Sequence, residues 1–170
     1  GSEGSTSLKS TLPEYVVGKM LSLTEKNYND QILRETLWNS KALSSDVTAA
    51  LNPVFKSVHD VENVARLSYG LAFAKYTGSR GKVMANDADA EFIQEIRQIF
   101  DKNEIKYQSG GFGKVDEGGG GTVAKFLAYY GIRTVDAGPA LLSMHSLFEI
   151  SSKADLYETY RAYKVFFELD

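Results

Sequence analysis

Apolar residues recur at helical spacing in four stretches of the chain and predict four helices. In chain order, their apolar positions are Tyr15, Val16, Met20 and Leu23; Ile32, Leu33, Leu37 and Trp38; Phe92, Ile93, Ile96, Ile99 and Phe100; and Leu156, Tyr160, Tyr163, Phe166 and Phe167. Pro13 suits the initial turn of the first helix. The second helix is expected to run to about Leu43. In the last helix, we expect the apolar residues to form the buried side.

Residues that can cap a helix stand before three of these stretches. They are Asn29 or Asp30 before the second helix, Asn86 or Asp87 before the third, and Ser151 or Ser152 before the last. A further short helix is predicted over 123–130, and Gly131 ends it.

Small, β-branched and apolar runs between these helices predict strands. The predicted strands are 44–50, 69–76, 105–108 and 132–135, the last of which turns at Gly138-Pro139. The residues around His59 are predicted to form an exposed loop, and 77–82 a flexible basic loop. Because strands and helices alternate after the first two helices, the sequence predicts an α/β layered domain with a mostly parallel or mixed β-sheet.

Composition narrows the class of protein and the chemistry of any site. The chain has 170 residues, 43% of them hydrophobic, which suits one globular domain. A net charge of −3 argues against nucleic acid or an anionic membrane as the main partner. No basic segment is followed by an apolar one, so we expect no secretory signal, and no apolar run reaches the roughly 18 residues that span a bilayer. Without cysteine, a metal must bind to His, Asp or Glu, which suits zinc, manganese or cobalt, and a cytoplasmic location is compatible with this composition.

Two residues stand where ligands bind in open α/β sheets, near the ends of strands. His145 follows the Gly138-Pro139 turn, and Asp46 lies near the start of the strand predicted over 44–50. Each has a purely structural interpretation, His145 as a hydrogen-bonded histidine and Asp46 as a turn or capping carboxylate. Glu149 is either a partner that orients an imidazole or a surface residue. The residues alone therefore give the hypothesis of a carboxylate–histidine metal site.

The glycine-rich segment 109–122 fits neither the P-loop nor the dinucleotide-binding pattern, since Val115 stands where a P-loop needs Ser or Thr. It is either a flexible loop or a place where the backbone comes close to a ligand, with a helix N-terminus at Thr122 facing that ligand. A phosphate-binding role for this loop is the least favoured function. We interpret the basic residues Lys75, Arg80 and Lys82 as part of a solvated loop, which is the ordinary role of such a cluster.

Four ordered segments, 44–53, 75–82, 115–122 and 142–146, resemble the aspartyl aminopeptidase family of dinuclear zinc aminopeptidases, which includes vacuolar aminopeptidase I. The likeness is closest to bacterial members and runs from Gly1 to Glu168. It implies a three-layer zinc-exopeptidase fold with a mixed sheet between helices. It also implies removal of N-terminal residues from peptide substrates by a metal-activated water, with a glutamate as general base.

By motif, the resemblance implies that Asp46 and His145 are metal ligands in a site that holds two zinc ions when complete, with cobalt or manganese as alternatives. The substrate contacts that it implies are Lys75, Gly118, Gly119, Gly120, Gly121, Thr122 and Met144. Val83 departs from the tyrosine often found in relatives, which leaves the preferred N-terminal residue open.

The resemblance also implies that part of the site is missing. Family members carry a histidine ligand, a bridging aspartate and a Glu-Glu pair upstream, and that pair directly precedes the Gly-Ser-Glu-Gly with which this chain begins. Residues 1–170 are thus expected to be the C-terminal part of the peptidase domain, without its N-terminal part and dimerisation insert, and Gly1-Ser2 to be native. Two ligands cannot hold two zinc ions.

We therefore expect this chain to contain no catalytic residue and to be inactive alone. The missing N-terminal part is expected to be a partner, and relatives assemble into homo-oligomers, commonly dodecamers. The alternative function is a non-catalytic assembly or binding domain derived from such an enzyme. The surface where the missing part packs should be apolar, which predicts self-association or poor solubility.

Overall fold

The computed structural model describes residues 3–80, 83–111 and 113–168, so Gly1, Ser2, Gly81, Lys82, Phe112, Leu169 and Asp170 lie outside the described residues. The helices are α1 (Leu12–Thr24), α2 (Asp30–Trp38), α3 (Ala90–Lys102), α4 (Ala124–Tyr129) and α5 (Lys153–Phe167). The strands are β1 (Lys41–Ser44), β2 (Thr48–Ala49), β3 (Leu71–Ala74), β4 (Tyr76–Ser79), β5 (Val83–Asp87), β6 (Tyr107–Ser109), β7 (Arg133–Gly138), β8 (Ala140–Leu142) and β9 (Ile150–Ser151). Among these helices, none is long and apolar enough to cross a bilayer.

The main sheet is mixed, which confirms the predicted α/β class. Its strand order is β1-β7-β3-β6, in which β1 runs parallel to β7, β7 antiparallel to β3, and β3 parallel to β6. A smaller sheet has the order β2-β8-β9, and β4 forms an antiparallel hairpin with β5. Because β1 leads into β2 as β7 leads into β8, the parallel pairing continues from the main sheet into the smaller one.

The main core lies between this sheet and the helices α3 and α5. Phe92, Ile96 and Phe100 of α3 are all 0% exposed, as expected for apolar residues four positions apart on one helical face. Phe100 stacks on Phe73 of β3, with ring centroids 5.4 Å apart. The apolar stripe predicted for this helix is therefore confirmed.

Two predicted helix boundaries are wrong because strand pairing takes the residues instead. The second helix ends at Trp38 rather than near Leu43, since Lys41–Ser44 pairs with β7. Its predicted cap is confirmed, as the Asn29 side chain accepts hydrogen bonds from two backbone N–H groups. The third helix is capped by Asp89 rather than by Asn86 or Asp87, which pair with β4 inside β5.

The basic loop predicted over 77–82 is in its described part a strand and turn, because Tyr76–Ser79 pairs with β5. The strand predicted over 69–76 divides between β3 and β4.

The buried side predicted for the last helix is also wrong in part. Leu156, Tyr160 and Phe167 are 60%, 62% and 83% exposed, whereas Asp155 is fully buried. The Asp155 carboxylate accepts hydrogen bonds from the backbone N–H groups of Ser68 and Gly70, at 2.8 and 2.7 Å. These bonds fix the rotation of α5 about its axis so that the Asp155 side chain faces the interior. Leu156, Tyr160 and Phe167 consequently face solvent.

Candidate functional site

Asp46 lies in the connection between β1 and β2, beside the point where β7 leads into β8. The strand predicted over 44–50 is thus two strands that flank Asp46. Its Oδ1 atom accepts a hydrogen bond from the Val47 backbone N–H at 2.9 Å, and the residue is half-buried. The Asp46 carboxylate therefore makes the kind of local contact expected of a turn residue. It also lies just after the end of β1, a strand of the main sheet.

A buried carboxylate close to Asp46 was not singled out by the sequence. Asp136, in β7, is 3% exposed, and its Oδ2 accepts a hydrogen bond from Thr122 Oγ1 at 2.7 Å. Burial raises the pKa of Asp136, the hydroxyls of Ser44 and Thr122 lower it, and the negative charge of Asp46 raises it further. The only feature of the sequence that points to Asp136 is that it is an aspartate within an otherwise uncharged run of residues after Arg133.

The same negative charges act on Tyr163 of α5. Burial raises the pKa of its phenol, and the charges of Asp46 and Asp136 add to that rise, while the side chain of Ser45 lowers it. The phenol donates a hydrogen bond to the Ala137 carbonyl oxygen at 2.5 Å. Asp46, Asp136 and Tyr163 thus form one electrostatic neighbourhood at the end of β1.

Several buried oxygen atoms in this neighbourhood lack hydrogen-bond partners among the described residues. They are Asp136 Oδ1, Ser44 Oγ and Thr77 Oγ1, which make no hydrogen bond of ordinary geometry, although the Ser44 and Thr77 hydroxyls lie close enough to Asp136 to lower its pKa. Unpaired buried polar atoms are costly and mark places where water, an ion or another chain completes the structure. The end of β1 is therefore a buried polar site, formed by a carboxylate and neighbouring hydroxyl groups.

His145 lies in the exposed loop 143–149 between β8 and β9. Its φ is 67°, and that of Ser143 is 58°. Left-handed backbone at two non-glycine residues so close together is strained, and such strain occurs at functional sites. The His145 backbone N–H donates to Glu149 Oε1 at 2.6 Å, so Glu149 holds the main chain of His145.

The described residues do not by themselves form a zinc site. They contain no cluster of three or more His, Asp or Glu side chains that could hold a metal. Strands β2 and β8 run parallel, with Thr48 paired to Ala140 and Ala49 to Leu141. Asp46 comes before β2 and His145 comes after β8, so the two residues flank opposite ends of this short pairing. Because catalytic zinc takes about three protein ligands, the donor types fit zinc but their number does not.

The glycine-rich segment lies against β4. Backbone N–H groups of Gly78 and Arg80 donate to the carbonyl oxygens of Gly120 and Gly118, at 2.9 and 2.7 Å. A methyl group on Gly121 would lie 2.9 Å from the Met84 carbonyl oxygen and closer still to its Cβ. These glycines therefore permit close contact with the hairpin of β4 and β5, and their predicted contact with substrate stays a prediction.

The other predicted substrate residues are dispersed. Lys75 lies between β3 and β4, and its ammonium group is paired with Asp87. Met144 is half-buried beside His145. The Thr122 side chain faces Asp136 in the interior, as given above.

His59 is 8% exposed, so the prediction of an exposed position is wrong. Its Nε2 accepts a hydrogen bond from the Asn52 backbone N–H at 3.3 Å, and burial lowers its pKa. The residue is covered because the glycine-rich segment packs on the neighbouring turn, where Lys114 N–H donates to the Val58 carbonyl oxygen at 2.9 Å.

The sequence of this chain matches a known family of hydrolases. The family model described as Aminopeptidase I zinc metalloprotease (M18) matches residues 1–167. The chain therefore belongs to the M18 family of zinc aminopeptidases, which confirms the resemblance seen in the sequence.

Individual relatives agree with this. The chain is 57% identical over 169 residues to the "Probable M18 family aminopeptidase 1" of Borrelia garinii subsp. bavariensis, covering 99% of this chain and 37% of that protein. An M18 aminopeptidase from Thermotoga maritima superposes with a TM-score of 0.91 at 47% identity, over 97% of this chain and 37% of that one. A dodecamer from S. cerevisiae superposes with a TM-score of 0.78 at 25% identity, over 98% and 35% of the two chains. The chain thus spans little more than a third of the length of these relatives.

Proposed function

We propose that this chain is a segment of a metal-dependent aminopeptidase that removes N-terminal residues from peptides by means of a metal-activated water. The observation that carries the proposal is the buried polar site at the end of β1, where Asp46 lies close to the buried Asp136, in a chain that belongs to a zinc aminopeptidase family. Asp46 and His145 are the proposed ligands from this chain, in a complete site of two zinc ions. Cobalt or manganese are alternative metals.

The remaining ligands and the general base are proposed to come from the part of the enzyme outside this chain. Support comes from the number of donors, since Asp46 and His145 are fewer than the ligands that one catalytic zinc requires. The chain alone is therefore expected to be inactive. That the missing part precedes this chain, with its dimerisation insert, stays a prediction.

Lys75, Met144 and the segment from Gly118 to Thr122 are proposed to contact the peptide substrate. The assembled enzyme is proposed to be a cytoplasmic homo-oligomer, by analogy with the dodecameric relative from S. cerevisiae. A non-catalytic assembly or binding domain remains the second candidate, favoured by the lack of a three-ligand cluster in the described residues.

Hydrolysis of a panel of aminoacyl chromogenic substrates, with zinc, cobalt or manganese, tests the proposal. We expect activity from the enzyme that contains this chain together with the missing part, and none from residues 1–170 alone. His145→Ala should abolish the activity and lower the zinc content per chain. The matched control is His59→Gln, which changes the other histidine and should leave both readouts unchanged. An assembled enzyme that binds no metal and cleaves no substrate would establish the non-catalytic alternative.

A further inference from the structure

The pairing of β1 with β7 and that of β2 with β8 are two parts of one parallel ladder. Lys41 of β1 pairs with Arg133 of β7. Seven positions further along both segments, Thr48 of β2 pairs with Ala140 of β8, so the register is the same in the two parts. The ladder is nevertheless open between β1 and β2, and Asp46 lies at the middle of this opening.

The opening removes two particular hydrogen bonds from the ladder. Parallel strands bond through every second residue, and beyond the opening the Thr48 N–H donates to the Pro139 carbonyl oxygen at 3.2 Å. Two positions earlier on each strand, the same series requires the Asp46 N–H to donate to the Ala137 carbonyl oxygen. It also requires the Asp46 carbonyl oxygen to accept from an N–H at position 139. Neither bond joins these described residues, so both main-chain groups of Asp46 are released from the ladder.

Two residues account for the missing bonds. Pro139 has no N–H, so position 139 has no donor for the Asp46 carbonyl oxygen. The Ala137 carbonyl oxygen accepts instead from Tyr163 of α5, whose phenol donates to it at 2.5 Å. Because Ala137 is fully buried, its carbonyl group needs a partner within the protein, and the phenol supplies that partner in place of the Asp46 N–H.

We propose that Tyr163 is a positioning residue for Asp46, and that its hydrogen bond to the Ala137 carbonyl oxygen keeps the ladder open where the proposed metal carboxylate leaves the sheet. The phenol lies against the same stretch of chain, since Tyr163 and Ser45 line one groove beside β1. Released from the ladder, Asp46 turns so that its own Oδ1 accepts the Val47 N–H at 2.9 Å. The effect on zinc rests on the proposed function, whereas the opening itself does not.

Hydrogen–deuterium exchange of the complete enzyme with Tyr163→Phe, after removal of metal by a chelator, tests the proposal. Without the hydroxyl, the buried Ala137 carbonyl group loses its partner, and the Asp46 N–H is the donor that the ladder register offers in its place. We expect the Asp46 amide to exchange about tenfold or more slowly than in the wild type, as a paired sheet amide does. A mere loss of stability speeds exchange, so an unchanged or faster Asp46 amide would overturn the proposal.

Tyr130→Phe is the matched control. It also removes a phenol that donates to a main-chain carbonyl group, that of Ser10 at 2.9 Å, but this bond lies outside the ladder. Exchange of the Asp46 amide should be the same in Tyr130→Phe as in the wild type. Equal slowing in the two variants would show a general effect of a lost hydroxyl and would overturn the role of Tyr163.

Pro139→Ala tests the opening while Tyr163 stays in place. The substitution supplies an N–H that can donate to the Asp46 carbonyl oxygen, so the new amide at position 139 should be protected. The Asp46 amide should keep its wild-type exchange rate, because the phenol still holds the Ala137 carbonyl oxygen. Slowed exchange of the Asp46 amide in this variant would mean that Pro139 rather than Tyr163 keeps the ladder open, and would overturn the proposal.

Zinc titration of the same variants separates this proposal from the proposed function. We expect Tyr163→Phe to bind zinc about tenfold or more weakly, as when an outer partner of a metal ligand is lost, and Tyr130→Phe to bind it as the wild type does. Slowed Asp46 exchange with unchanged zinc affinity would uphold the opening and reject Asp46 as a metal ligand. Weakened zinc binding without slowed Asp46 exchange would reject the opening and leave the proposed function standing.

Discussion

Gly138 packs directly against the backbone of Asp46. A methyl group on Gly138 would lie 2.9 Å from the Asp46 carbonyl carbon and closer still to its oxygen. Gly138 ends β7, and Asp46 follows the end of β1, so the contact fixes the chain that carries the proposed metal carboxylate. Only a glycine hydrogen fits between these two backbone segments.

The Gly138→Ala substitution should therefore displace Asp46. We expect the complete enzyme to bind zinc about 10- to 100-fold more weakly, as for changes that misplace a ligand. Zinc titration with a competing chelator measures this. Gly111→Ala is the control, because a methyl group there would make an ordinary contact of 3.5 Å with the Asn63 carbonyl oxygen. Unchanged zinc affinity in the Gly138→Ala enzyme would remove Asp46 from the proposed ligands.

The hydrogen bond between Thr122 and Asp136 predicts a stability effect that does not depend on metal. Thr122→Val keeps the shape of the side chain but leaves the buried carboxyl group without its Thr122 donor. We expect the free energy of unfolding to fall by about 2 kcal/mol. Thr122→Ser retains the hydroxyl and should lose clearly less. Urea unfolding of both variants gives the comparison, and equal losses would show that packing of the methyl group is responsible.

Hydrophobic spacing was a sufficient guide where a helix packs one apolar face on the sheet. In α3, three predicted core residues are fully buried. The same reasoning failed for α5, where the hydrogen bonds of Asp155 to Ser68 and Gly70 set the helix rotation. Those partners are 87 and 85 residues away in the chain, so no local pattern contains the information.

The candidate site, like the helices, could be predicted from the sequence only in part. Asp46 could be singled out near the start of a predicted strand because small and β-branched residues surround it, but its true position between two paired strands could not be predicted. The burial of Asp136 depends on β1, β4 and Thr122 coming together, and the contact of Glu149 with the His145 backbone depends on a left-handed turn. Both arise from tertiary geometry, which the spacing of residues does not encode.

The Asp89 carboxylate should contribute to the free energy of unfolding in a pH-dependent way. Its carboxylate caps α3 through Phe92 N–H at 2.8 Å and bonds Arg133 at 2.7 and 3.2 Å. The bond to the Arg133 guanidinium is the main cause that lowers the pKa of Asp89. A lowered carboxyl pKa stabilises the fold above the unfolded value of about 3.9, and this contribution is lost as pH falls through the lower native pKa.

Two substitutions at Asp89 separate the cap from the charge. Asp89→Ala removes both and should cost about 1 kcal/mol or more at pH 7. Asp89→Asn keeps an oxygen for the Phe92 N–H, so its deficit should be smaller and should shrink as the pH is lowered below about 3.9, until the native pKa is passed. Urea unfolding between pH 7 and pH 3 measures both. A deficit of Asp89→Asn that stays constant with pH would contradict the role of the charge.

Burial of His59 should lower the free energy of unfolding in a higher pH range than the one in which Asp89 acts. Burial lowers its pKa below the ordinary value of 6.5, so the folded protein holds the imidazole neutral while the unfolded chain takes up a proton. Stability should therefore fall as the pH drops through 6.5 and continue to fall until the native pKa is passed. His59→Gln lacks this titration and can still accept the Asn52 N–H, so its unfolding free energy should depend less on pH between 7 and 5. His145→Gln shows what the other histidine contributes. Identical pH profiles for the wild type and His59→Gln would mean that the imidazole of His59 is solvated in solution.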